Sequence, residues 1–316
     1  MSIAAMREEF QSQSENLSSV VRQLKSRVVP FPVIRSPAVF TGSGDSWAAA
    51  MFAMELDKNV VTALDPGDLS ASLTVAENKQ LVIISISGRT RVNIELARKA
   101  KQAGIETVAL TADATSPLAR ACDTFVVPPY TKTGILTSGT TSFTTSLLTC
   151  AKLLQKMPKS LKLANSFSDS KKWVSQVRRR RQGKFLFIGS GVDRALAEYG
   201  ACKIQEVLGS TAMATYPEQV GHALLFSLNQ SEDTVVCIDT VGNDKTRWLF
   251  GQLRRAKFNA HLLSSGRANV LTRVICSCYC LQLLPLMTAE RMSQKECAFI
   301  QNKKILNLSN RLIYRD

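Results

Sequence analysis

Residues 81–104, LVIISISGRTRVNIELARKAKQAG, decide how the chain is read. Four aliphatic residues run straight into Ser85, Ser87, Gly88 and Thr90, and an amphipathic stretch follows. An unbroken apolar run of this length suits a strand buried on both faces, and the 3.6-residue pattern after it predicts a helix over 93–104. Between the two lie three hydroxyls and a glycine, at the point where a helix presents unpaired N–H groups and the positive end of its dipole. Such a turn seats an anion, and phosphate is the candidate. Capping by Ser87 or Thr90 is the plainer alternative. Three hydroxyls with a glycine exceed what a cap requires, so Ser85, Ser87, Gly88 and Thr90 are assigned to phosphate. No Gly-Lys-Ser/Thr follows a glycine loop, and the dinucleotide fingerprint is incomplete, so a nucleotide is not expected there.

Working outward, residues 36–155 alternate strand and helix. AVFTGSG (38–44) reads as strand and glycine turn, DSWAAAMFAMEL (45–56) as helix, and ETVALTA (106–112) and DTFVVPP (123–129) as further strands. The Thr/Ser-rich loop TKTGILTSGTTSFTTSLL (131–148) leads into a long helix. Its hydroxyls suggest ligand contacts or turn chemistry. The second half repeats the scheme: KFLFIGSGVDRALAEYGACKIQEVLG (184–209) follows the order strand, Gly-Ser-Gly, helix, and DTVVCIDTVGND (233–244) takes the place of 80–90. Gly42 and Gly189 are 147 residues apart, Gly88 and Gly242 154. Nearly constant offsets point to internal duplication. The expected architecture is therefore α/β, two tandem parallel sheets flanked by helices. Residues 1–158 form the first domain with an N-terminal helix over 2–30 packed on it, 159–183 a basic helical junction, and 184–316 the second domain.

Composition bounds the function. With 45% hydrophobic and 21% charged residues the 316-residue chain is globular in character, and no apolar run approaches the ~20 residues of a bilayer span. The formal charge is +15, of which Lys159 to Lys184 contribute nine cations against Asp169. A solvated helix face, with Trp173 and Val177 turned inward, explains that segment better than a nucleic-acid surface, for which no recognition motif is present. Eight dispersed cysteines with no CxxC pair suit buried thiols, so the cytoplasm is the expected compartment. Cys276, Cys278 and Cys280 alternate as on a strand and lack a fourth ligand, so no metal is expected.

Gly42-Ser43-Gly44-x-Ser46, Ser85-x-Ser87-Gly88-x-Thr90 and SGTTSFTTSLL (138–148) resemble the marks of the sugar isomerase (SIS) family. The chain is similar in particular to the doubled isomerase module of glucosamine-6-phosphate synthase, over about residues 6–313. A glutamine-hydrolysing domain is not expected, which disfavours ammonia transfer from glutamine. The resemblance implies a flavodoxin-like sheet in each half and a sugar phosphate held by Ser46, Ser85, Ser87 and Thr90, with Gly44, Ser138, Thr140 and Asn310 as further substrate contacts. It implies that Glu206, closing Lys-x-x-Glu, moves a proton between C1 and C2 of the open-chain sugar. His222 would assist ring opening from a neighbouring subunit, making the protein a homodimer without a cofactor. Read without the resemblance, Glu206 is an acid on a helix, solvated or paired with Lys203. His261 reads as structural. Three departures stand out: Asp45 replaces a usual threonine, Gly221-His222 inverts the usual order, and Asn310 takes the place of the family's C-terminal lysine. The expected function is an aldose–ketose isomerase, deaminase or deglycase acting on a hexose 6-phosphate or its amino or glycated derivative. A non-catalytic phosphosugar sensor is the alternative.

Overall fold

The computed structural model describes residues 1–26, 31–130, 134–163, 165–177, 183–266 and 269–314. The arginine run 178–181 of the basic junction lies outside the described residues. Helix α1 (Ser2–Lys25) opens the chain and stops short of residue 30. Two compact units follow, divided differently from the sequence expectation. One holds Glu15–Lys132, Thr141–Met157 and Lys303–Asp316, the other Met1–Ser14, Thr133–Thr140 and Pro158–Asn302. The start of α1 thus belongs with the second half of the chain. The reason is its apolar stripe: Phe10 is fully buried, with its ring 5.5 Å from both Phe167 and Tyr279.

In the first unit, β1 (Ala38–Gly42), β2 (Val61–Ala63), β3 (Gln80–Ile84), β4 (Thr107–Leu110) and β5 (Thr124–Val126) form one parallel sheet in the order β2-β1-β3-β4-β5. Helices α2 (Asp45–Leu56), α3 (Pro66–Ala71), α4 (Arg91–Gln102), α5 (Pro117–Ala121) and α6 (Thr141–Leu153) cover it. Val39, Leu81, Ile83 and Ala109 meet Leu96, Ala97 and Ala100 of α4 on one face, while α2 lies against β1 and α6 on the other. Chain order reverses between β1 and β3, so the loops after these two strands open side by side at the carboxyl edge of the sheet. That is where open α/β sheets bind ligands. Part of the Thr/Ser richness of 131–148 is helix chemistry: Thr144 and Ser146 donate to the carbonyls of Thr141 and Ser142 one turn back, as Thr149 just beyond does to that of Thr145.

The second unit contains α7 (Ser166–Gln176), β6 (Phe185–Ile188), α8 (Val192–Leu208), β7 (Ala212–Thr215), α9 (Pro217–His222), β8 (Thr234–Asp239), α10 (Asp244–Arg255), β9 (Ala260–Ser264), α11 (Val270–Arg291) and α12 (Ala298–Gln301). The four strands run parallel in the order β7-β6-β8-β9, the first sheet's order without its last strand. Ile188 pairs with Cys237 as Thr41 pairs with Ile83, the same partners under the two sequence offsets. The last helix, α13 (Lys303–Tyr314), packs on α4 in the first unit.

The reading of Cys276–Cys280 as a strand is corrected: all three cysteines lie on α11. At helical spacing Cys276 and Cys280 share a face and Cys278 turns away, so the three cannot converge on an ion. No group of three metal-ligating side chains occurs among the described residues. Helix α11 is long and apolar enough to cross a membrane, yet most of it is buried in its unit against α7 and α8.

Two glycines separate steric need from tolerance. A Cβ on Gly189 would stand 2.2 Å from the Asp193 carbonyl, whereas one on Gly251, inside α10, would meet nothing within 4 Å. Gly189→Ala is expected to destabilise by about 1–3 kcal/mol and Gly251→Ala to stabilise by up to about 1 kcal/mol. Urea midpoints of the two variants check both signs.

Candidate active site

The first loop is open for business at its hydroxyls but not at its glycine. Gly88 has φ +62°, and a Cβ there would stand 2.2 Å from Ser116 Oγ. Its lack of a side chain lets the loop close on the Ser116 turn. Ser85 is buried and sits 3.3 Å, hydroxyl to hydroxyl, from Thr90. Ser87 Oγ accepts a long bond of 3.3 Å from Arg89 N–H. Thr90 occupies the N-cap of α4 without making a side-chain capping bond. Ser46, in the first turn of α2, follows β1, whose end Gly42 pairs with Ile84 at the end of β3. Among the described residues its hydroxyl has no hydrogen-bond partner. Gly44, at the N-cap of α2, takes φ +61°, and Asp45 begins the helix half-buried. Among the described residues the buried amide of Asn93, in the first turn of α4, also lacks a partner, a cost that buried polar groups seldom bear. Sequence reasoning missed Asn93, although it falls three residues before Leu96 on the apolar face.

The matching loop of the second unit is closed. Under the offset of 147 residues Ser46 becomes Asp193, and under 154 Ser85 becomes Asp239. Asp193 is fully buried and accepts from Thr240, through N–H at 2.9 Å and through the hydroxyl. Asp239 Oδ1 accepts from the N–H groups of Gly242 and Asn243 at 2.8 and 2.6 Å, and its other oxygen from Arg247. Asn243, the N-cap of α10, is spent on Thr246 N–H. Carboxylates of the protein therefore fill the place that an anion would take. The sequence offsets of 147 and 154 residues could have found both aspartates.

Glu206 lies on α8, one turn from Lys203 on the same face. Lys203 Nζ is 2.5 Å from Glu206 Oε2 and 3.0 Å from Ser138 Oγ, and Ser138 Oγ donates to the same Oε2 at 2.7 Å. The ammonium is 1% exposed and the carboxylate 37%. Near the negative end of the α8 dipole a carboxylate is disfavoured, and the buried cation offsets this. The structure thus joins Ser138 to Glu206 and realises the Lys203 pairing. Thr140 is buried with its N–H and hydroxyl both given to Glu9 Oε1 at 2.8 Å, so it holds the loop rather than offering a free hydroxyl. His222 ends α9 with a 71% exposed side chain, 3.3 Å from Glu218, and no hydrogen bond joins it to Lys203 or Glu206. His261 on β9 contacts Asn259 Oδ1 at 2.9 Å. Asn310 is an exposed amide on α13.

An α/β chain with two tandem flavodoxin-like parallel sheets and a hydroxyl-lined loop at one switch point shares its fold with solved structures that include a putative phosphosugar isomerase from Clostridium difficile. Residues 36–155 match the family model described as the SIS domain. None of the curated proteins matches the chain. Solved structures do. The C-terminal domain of glucosamine-fructose-6-phosphate aminotransferase from Francisella tularensis is 17% identical, with TM-score 0.75 over 92% of this chain and 97% of that one. Glucosamine-6-phosphate deaminase from Thermotoga maritima is 16% identical, with TM-score 0.71 over 92% and 93%. Tagatose-6-phosphate ketose/aldose isomerase from Escherichia coli is 15% identical, with TM-score 0.65 over 93% and 90%. Likeness at this identity concerns the fold.

Burial, with the neighbouring charge of Asp239 adding to it, pushes the Asp193 carboxyl up from 3.8 to about 6, against the hydrogen bonds from Thr240 that lower it. A carboxyl whose folded pKa is raised binds its proton more tightly in the folded state, so stability falls as pH rises from about 4 through 6. Asp193→Asn removes the titration. Its stability relative to the unaltered protein is expected to rise over that window by roughly 3 kcal/mol, read from urea midpoints between pH 4 and 7.

Proposed function

We propose that the protein binds a hexose 6-phosphate, or an amino or glycated derivative, through the loop at Ser46, Ser85, Ser87 and Thr90, and catalyses proton transfer between C1 and C2. The observation that carries this reading is the contrast between the two duplicated loops. One presents the hydroxyls of Ser46, Ser85, Ser87 and Thr90 beside the N-termini of α2 and α4, and the other is filled by Asp193 and Asp239. The second half is accordingly read as a second SIS domain that has kept the scaffold and given up the phosphate.

In the proposed reaction Glu206 removes the proton from the carbon next to the carbonyl, leaving an enediol, or an enamine where C2 carries nitrogen. It returns that proton to the neighbouring carbon while a second proton passes from the C2 hydroxyl to the C1 oxygen. Where C2 carries nitrogen the product is an imine, which water hydrolyses to the ketose with release of ammonia. Isomerisation and amino-sugar deamination both require such a base, and the names of the compared structures include an isomerase and a deaminase. A carboxylate with one edge fixed by Lys203 and Ser138 and a third of its surface open is suited to the task. His222, exposed and held only loosely by Glu218, is read as the ring-opening group offered to a second copy of the chain in a homodimer. All eight cysteines are free thiols, which supports a reducing compartment, the cytoplasm. Asn310 favours one other reading, a sensor that binds the sugar phosphate without chemistry, because an amide there supplies neither the charge nor the nucleophile of a lysine.

The test is deuterium uptake at C1 and C2 of fructose 6-phosphate, glucose 6-phosphate and glucosamine 6-phosphate in D₂O, followed by NMR. Exchange with at least one sugar, lost on the order of 10²-fold or more in Glu206→Gln and weakened in affinity by Ser87→Ala, is the expected result. Binding that Ser87→Ala removes, with no exchange in the unaltered protein, would replace the enzyme by the sensor. Because Glu206 also matches the charge of Lys203, the Gln variant is to be checked for a native thermal transition.

A further inference from the structure

Ser138 reaches Glu206 from a loop tied down on several sides. Thr140 gives its N–H and its hydroxyl to Glu9 Oε1, each at 2.8 Å. Gln282 Nε2 donates to the Thr140 carbonyl at 3.2 Å, and the Tyr199 hydroxyl donates to the Gly139 carbonyl at 3.3 Å. Gln282 Nε2 lies 3.0 Å from the Tyr199 oxygen, and Gln13 Nε2 donates to Gln282 Oε1 at 2.9 Å. Helices α1, α8 and α11 thus each hold the segment that carries Ser138.

Glu9 is the unexpected member. It is only 8% exposed, and an apolar side chain would fill such a place at lower solvation cost. What a carboxylate adds is a pair of short, charge-assisted bonds from one oxygen to both donors of Thr140, which fix that residue in position and rotation. Thr140 is two residues from Ser138, so a slackened Thr140 moves the Ser138 hydroxyl directly. The 2.7 Å bond from Ser138 to Glu206 tolerates little displacement before it ceases to be one.

We propose that Glu9 is a positioning residue for Glu206, acting through Thr140 and Ser138, so that the N-terminal helix sets the orientation of the base. This rests on the reading of Glu206 as the proton-transferring group. Glu9 bonds to Thr140, and the bond to Glu206 in that loop comes from Ser138. Removal of Glu9 changes how the Glu206 carboxylate is held, not whether the sugar binds.

The experiment compares full-length protein with Glu9→Ala, Glu9→Gln, Thr140→Val and Glu290→Gln. The last breaks the exposed pair that Arg7 of α1 makes with Glu290 and leaves the loop contacts alone. Two readouts are taken: the side-chain carboxyl carbon resonance of Glu206 at fixed pH, assigned by its loss in Glu206→Gln, and deuterium exchange into the sugar that reacts. Glu9→Ala is expected to move the resonance and to lower turnover on the order of 10²-fold with KM unchanged. Thr140→Val, which keeps the N–H bond, should do so less, and Glu9→Gln, which keeps an acceptor oxygen, should restore most of the rate. Glu290→Gln should match the unaltered protein. An unmoved resonance in Glu9→Ala, a change confined to KM, or an equal effect of Glu290→Gln would overturn the proposal. Absence of exchange in the unaltered protein with all three sugars would instead remove the base assignment. The resonance still decides in that case whether Glu9 governs the placement of Glu206.

Discussion

A lysine ammonium buried to 1% exposure is the constraint from which much of the second unit follows. Removing one partner of a buried pair costs about 3–5 kcal/mol, because the remaining charge is left without a counter-ion. Lys203 therefore requires Glu206 and Ser138 where they are, and its position over the Tyr199 ring, 5.3 Å from the centroid, closes another side. Ser138 can serve only if loop 138–140 is fixed, and that fixing calls on Glu9, Tyr199 and Gln282. A single charge thus organises side chains from three helices and the loop. Within that arrangement Glu206 alone keeps an edge toward solvent, which makes it the member able to meet a substrate.

The two loops occupy equivalent places in sheets of the same strand order and differ in charge. Both sheets offer the same switch point, with the same register and the same glycine turn. The second cannot accept an anion because Asp239 already takes the amides of Gly242 and Asn243 and Arg247 takes the rest of its charge. An incoming phosphate would have to displace a carboxylate that costs it nothing in translational entropy to keep in place. Two serine-to-aspartate differences suffice for this. The strand order and register recur in the two halves, while the side chains that fill the loops differ.

How much of this the sequence revealed depends on the range of the information. Strand and helix alternation, the repeat and the hydroxyl loop are local patterns, and the structure contains them within a few residues. The partition of the chain is not local. Phe10 buries itself against Phe167 and Tyr279, contacts of more than 150 residues' separation that no periodicity encodes. The ICSCYC segment was illegible for a different reason: alternating small apolar residues satisfy the strand period of two, yet they sit inside a 22-residue helix whose other positions are also apolar. A helix buried all round loses the one-sided stripe that would identify it. Glu9 could not be singled out either, since its partner Thr140 is named only by the fold.

On the proposed reading, Asn310 in the place where a lysine was expected bears unequally on the reactions open to such a site. Forming an imine with the sugar carbonyl needs an amine nucleophile, and Asn310, an exposed amide, cannot provide one. Moving a proton between C1 and C2 of an open chain needs no covalent attachment. It needs a base on one face of the two carbons and a group to balance charge on the oxygens, for which a carboxylate backed by a buried ammonium already has the parts. The substitution at 310 therefore argues against imine-dependent nitrogen chemistry more strongly than against isomerisation. Because enolisation of glucosamine 6-phosphate needs no imine to the protein either, its C1 and C2 protons stand level with those of fructose 6-phosphate and glucose 6-phosphate.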